Sequence, residues 1–145
     1  MKIAKDAVDL LYDILVADTN VASTISGDLY KFNTRPIGST KTDIVINLLT
    51  ASDGIIQPGI ANINIFAANK AIPGSIAVQY VPDVDSISAG VKSVIGALGE
   101  DKGIAKDSVK IYVSKVSNIL PNGDINESYV NIKTTLEFHN QIYKN

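Results

Sequence analysis

The chain has 145 residues, of which 46% are hydrophobic and 19% charged, enough apolar material for one domain with its own core and too much for a disordered tail. Its 13 basic and 15 acidic residues leave a net charge of −2, so no global field favours nucleic acid. Cysteine is absent and histidine occurs once, at His139. That excludes disulfides, thiolate metal sites and any site that needs a second histidine. No apolar run approaches the ~18 residues of a membrane span, and the N-terminus alternates charged and apolar residues, unlike a signal peptide. One domain, 1–145, is expected, with no membrane association.

The first segment, Met1 to Val16, reads as an amphipathic helix. Ile3, Ala7, Leu10, Leu11, Ile14 and Leu15 recur at helical spacing, with Lys2, Lys5, Asp6, Asp9 and Asp13 mostly on the other side. Ala17-Asp18-Thr19-Asn20 offers polar side chains that compete for backbone hydrogen bonds and end it. Asp28 to Phe32 reads as a short strand. Asn33 to Thr42 has no periodicity and carries Pro36, Gly38, Ser39 and Thr40, the composition of a polar loop. Loops of that length in a compact domain are commonly functional.

Two alternating strands follow. Ile44, Ile46 and Leu48 alternate with Val45, Asn47 and Leu49, and Ala61, Ile63, Ile65 and Ala67 with Asn62, Asn64 and Phe66. The connection Ala51 to Gly59 carries Gly54, Pro58 and Gly59, and a second loop, Asn69 to Ser75, contains Pro73-Gly74. Asp83 to Leu98 is the second helix, with Ile87, Val91, Val94, Ile95 and Leu98 as its apolar stripe and Asp83 or Asp85 as cap. Gly99 stands where a left-handed terminating residue is wanted. Gly90 and Gly96 each weaken the helix by roughly 1 kcal/mol relative to alanine and are expected to permit close approach to the sheet.

The last third shows a long hairpin, about 108–138. Val109, Ile111 and Val113 alternate with Lys110, Tyr112 and Ser114, and Val130, Ile132, Thr134, Leu136 and Phe138 alternate with polar neighbours. Pro121-Asn122-Gly123-Asp124 is the turn between them. The order defines an α+β domain: an antiparallel or mixed β-sheet flanked by two helices, with a long C-terminal β-hairpin.

No catalytic constellation emerges. His139 has no adjacent nucleophile or orienting carboxylate and reads as an ordinary strand-end histidine. Asp6, Asp9 and Asp13 share helical spacing that could surround a cation, but the interleaved Lys2 and Lys5 make a solvated face the better reading. The glycines at 90, 96, 99 and 103 fit neither a dinucleotide fingerprint nor a phosphate loop, and no nucleophile elbow is present. Neither an enzyme, a cofactor nor a bound metal is expected. The sole arginine, Arg35, stands in the polar loop, where it could pair with a carboxylate or a phosphate.

One feature resists a bland explanation. From Ile44 to Pro82 the only charged residues are Asp53 and Lys70. A sheet with one wet face would carry more lysine, glutamate or threonine; here the second face offers Asn47, Asn62, Asn64 and Phe66. Depletion of charge with retention of apolar and amide groups characterises subunit contacts. Ile46, Asn47, Asn62, Asn64 and Phe66 are therefore the candidate subunit interface, unless the chain's own two helices cover both faces.

The order of helix, strand, long polar loop, paired strands, helix and terminal hairpin resembles tailed-bacteriophage neck proteins of the tail-terminator or tail-completion type. Asp43-Ile-Val-Ile-Asn47 followed by Gly59-Ile-Ala-Asn-Ile-Asn-Ile65 looks like their central strand pair. The resemblance implies a structural virion protein at the head–tail junction or tail end. Such a protein forms a homo-oligomeric ring, a hexamer or dodecamer, that contacts neighbouring portal, connector or tail proteins and the DNA passing the channel. It would be assembled in the host cytoplasm. A monomeric α+β module binding a small ligand or a protein without catalysis is the alternative. Arg35 and Lys41 in the loop, and Ile119, Leu120 and Ile125 at the hairpin tip, are the candidate partner contacts, expected to become ordered only on assembly.

Overall fold

A computed structural model describes residues 4–32, 34–51, 56–74, 77, 79–123 and 125–139. Three helices, α1 (Ala4–Ala17), α2 (Thr19–Thr24) and α3 (Val84–Ala97), accompany nine strands: β1 (Leu29–Lys31), β2 (Asp43–Ala51), β3 (Ile56–Ala68), β4 (Lys70–Ala71), β5 (Tyr80–Val81), β6 (Ile104–Lys106), β7 (Val109–Val116), β8 (Leu120–Pro121) and β9 (Glu127–His139). The main sheet runs β1-β2-β3-β9-β7-β6, with β8 also on β9, and β4 and β5 form a separate two-stranded ribbon. β1 runs parallel to β2 and every other pair is antiparallel. The fold is α+β with a mixed sheet.

Alternation places each strand's apolar set on one side. Ile44 and Ile46 stand opposite Ile65 and Ile63, which stand opposite Val130 and Ile132, and all are buried. On this side they form one cluster with Leu11 and Leu15 of α1, Val21 of α2 and Ile87 and Val94 of α3. Gly90 explains how closely α3 approaches: a Cβ there would lie 2.9 Å from Ile65 Cγ2. Gly96 plays no such part, since nothing lies within 4 Å of its missing Cβ. Asp83 caps α3, accepting from the Ser86 N–H at 3.2 Å, and Gly99 takes the left-handed φ of 80°.

Three expectations need correction. Asp18 does not end helical structure; its carboxylate accepts from Val21 N–H at 3.0 Å and starts α2, because a residue that competes for backbone bonds is equally an N-cap. β6 is an added edge strand, and β4 and β5 lie in what reads as loop. The terminal hairpin is not a free ribbon. β9 is a central strand, paired with β3 along thirteen residues and with β7 and β8 on its other edge. Its turn is closed by Asn122 N–H donating to Glu127 O at 3.0 Å, with Gly123 at φ 57°. Asp124, the Ser52–Ile55 part of the β2–β3 connection, Ser75, and the helix residues Met1 to Ile3 lie outside the described residues, as do Asn140 and the side chain of His139.

Candidate assembly face and the Arg35 clamp

The helices share one side of the sheet, so the opposite face is left to itself. Period-2 alternation puts Asn47, Asn62, Asn64, Phe66, Tyr129 and Asn131 there, all half-buried. The amides bond one another: Asn131 Nδ2 donates to Asn64 Oδ1 at 2.7 Å and to Asn62 Oδ1 at 3.0 Å. Beside them Phe66 and Tyr129 stack with ring centroids 5.2 Å apart. This face is neutral, polar and aromatic. Ile46, expected on it, is fully buried beneath the helices; alternation gives it the opposite side from Asn47, so it cannot touch another subunit.

The loop before β2 folds over one corner of that face. Arg35 reaches inward: its Nε donates to Asp43 Oδ2 at 3.0 Å, while Nη1 and Nη2 donate to Glu127 Oε1 and Oε2 at 3.0 and 2.6 Å. The guanidinium carbon lies 4.5 Å from the centroid of the Phe66 ring, a cation–π geometry. Ser39 Oγ also donates to Asp43 at 2.6 Å, Asp28 N–H to the other Asp43 oxygen at 3.0 Å, and Asn122 Nδ2 to Glu127 at 2.7 Å. The carboxylate side chains are 1% and 4% exposed and the arginine 16%, so the ions are paired and hydrogen-bonded as burial demands. The hydrogen bonds to Glu127 raise the guanidinium's pKa above its ordinary value; burial opposes this and the bonds to Asp43 add to it.

The clamp ties both expected partner elements to the fold. Its arginine and Ser39 come from the loop, and Asn122 from the hairpin tip. The expectation that burial alone would order these segments missed charge-assisted bonds, which need no apolar anchor. Arg35 is turned inward, and Lys41 is exposed. Ile119 is partly buried against the core, whereas Leu120 and Ile125 are exposed. A groove of ≈ 420 Å3 opens between loop, tip and sheet, with Phe32, Ile37 and Ile125 on its rim and Val45, Asn64 and Phe66 in its floor. Sequence reasoning overlooked Asp43 and Glu127. Their signal was an acidic residue opening each of two apolar strands, in a chain with one arginine.

The remaining candidates separate in space. Asp9 pairs with Lys31 at 2.8 Å, and among the described residues no group of three acidic or histidine side chains could hold a metal ion. Among them, too, no helix is long and apolar enough to cross a membrane.

No protein-family model matches the chain, and no curated protein does. Among solved structures it is similar to a chain from the virion of a native gene transfer agent particle. The TM-score is 0.53 with 12% identity, over 88% of this chain and 90% of the other. At that identity the likeness is one of fold, and it spans nearly the whole of both chains.

Proposed function

We propose that the chain is a structural, non-catalytic virion protein of a phage-like particle. It acts as a homomeric ring at the head–tail junction or tail end, the tail-terminator or tail-completion role. The carrying observation is the fold shared along almost its full length with a gene transfer agent virion chain. The open amide-rich face supports the ring: it is neutral and uncovered by helices, the composition of a subunit contact. The edge strands β1 and β6 have three residues each, too short for extended pairing, so face packing rather than strand addition joins the copies. Contacts to the next portal, connector or tail ring fall to the loop and tip, with Lys41 as the exposed cation towards passing DNA.

A monomeric ligand-binding module would need an apolar cavity between helices and sheet. There, Leu11, Leu15, Ile87, Val94 and Leu98 form one buried cluster with Ile44, Ile46, Ile63 and Ile65, which supports the ring instead. Size-exclusion chromatography with light scattering tests the reading. A ring of six predicts about 92 kDa, six copies of the 15.4 kDa chain. A 15.4 kDa species at every concentration, alone and with the neighbouring virion proteins, overturns it.

A further inference from the structure

The β4–β5 ribbon leaves the same end of the sheet as the clamp, since β3 ends where β9 begins and Asn69 N–H donates to Asn126 O at 3.1 Å. It carries Tyr80 and Val81, 52% and 41% exposed. No described residue of the ribbon's two strands is buried. Exposed apolar residues on a protruding ribbon mark a protein contact.

We infer that this ribbon docks into the Ile37–Ile125 groove of a second copy of the same chain, and that this contact propagates the ring. The inference rests on the ring reading and names its interface. The chemistry matches on both sides. The groove's charges are internal, since Arg35 is held by Asp43 and Glu127, and the ribbon's Lys70 is paired with Asp83 at 3.2 Å. Two uncharged surfaces remain, one concave with Val45 and Phe66 in its floor, one protruding with Tyr80 and Val81. The ribbon cannot fill its own groove: it runs on into α3, which packs against Ile65 on the helical side, whereas Val45 and Phe66 face the other way. A contact between two different patches is heterologous, and repeated around an axis it closes a ring.

Charge reversal and cross-linking test it. V81D places a carboxylate in the neutral groove and is expected to weaken self-association at least tenfold; I37K in the same chain is expected to restore it. Because the chain has no cysteine, I37C/V81C is expected to give interchain disulfides in a ladder ending at the ring, while I37C or V81C alone gives none. If V81D fails to fold by circular dichroism, the cysteine pair decides. Rings that form equally with V81D and show no I37C/V81C cross-link overturn the docking and leave the ring reading standing. Cross-linking of I37C to itself means a two-fold contact and also overturns it. A parent chain that stays monomeric throughout overturns both.

Discussion

Arg35 and Glu127 lie 92 positions apart in the chain and meet through two parallel hydrogen bonds of 3.0 and 2.6 Å, joining the loop before β2 to the first residue of β9. This two-bonded geometry is specific to arginine, because a planar fork matches a carboxylate and a lysine ammonium does not. The third bond, from Nε to Asp43, makes the guanidinium a bridge between two strand starts.

Removing the bridge leaves two nearly inaccessible carboxylates facing each other. R35A is expected to destabilise the fold by about 3–5 kcal/mol, the usual cost of orphaning a buried ion pair, measured by urea denaturation. R35K should recover only part of this, since one ammonium cannot serve both acids. Amide exchange in 34–41 and around Asn122 should accelerate in R35A while α3 stays protected. Equal stability of R35A and parent would show that the clamp contributes nothing net.

How much of this was legible in sequence depends on its range. The alternations of 44–48, 61–67, 109–113 and 130–136 gave the buried faces correctly, because a period of two fixes sidedness wherever one face is covered. Asp83 and Gly99 were legible for the same local reason. The Arg35 partners, the parallel β1–β2 pairing and the central place of β9 were not, since each depends on segments far apart in sequence. Asp18 misled because the same side chain ends one helix or begins another according to which backbone N–H it meets.

The glycines of α3 should separate cleanly. G96A is expected to stabilise by about 1 kcal/mol, the helix-propensity difference, because its Cβ meets nothing within 4 Å. G90A should lose stability despite the same gain, by about 1–3 kcal/mol of overpacking against Ile65. Melting temperatures moving in the same direction for both would refute the close-approach account of Gly90.

Asp83 gives a pH signature. Burial works to raise its pKa, but the hydrogen bonds from Ser86 and the pairing with Lys70 outweigh it and hold the carboxyl below its ordinary value of 3.8. A carboxyl lowered in the folded state contributes stability that is complete above its unfolded value and fades as pH falls through the folded one. D83N, which keeps a capping oxygen but no charge, should therefore flatten the stability profile below about pH 4. D83A should lose about 1 kcal/mol at neutral pH with the cap. Denaturant midpoints from pH 2 to 7 for the three proteins decide it; identical acid slopes in parent and D83N would remove Asp83 from the account.

Thr134 supplies the last test. It lies on the helical side of β9, opposite Ala61 and Val113 and beside the register shift in β7. It is fully buried, and its hydroxyl oxygen finds no hydrogen-bond partner. A buried hydroxyl without a partner forfeits its hydration for nothing, at about 1–3 kcal/mol. Valine has nearly the same shape and no polar atom, so T134V is expected to raise stability by about 1 kcal/mol, visible as a higher urea midpoint at unchanged slope. Its neighbours Ala61, Ile132 and Leu136 already supply an apolar wall, so no compensating contact is lost. A destabilised T134V would mean that the hydroxyl is satisfied in solution, by water entering beside the shifted register of β7.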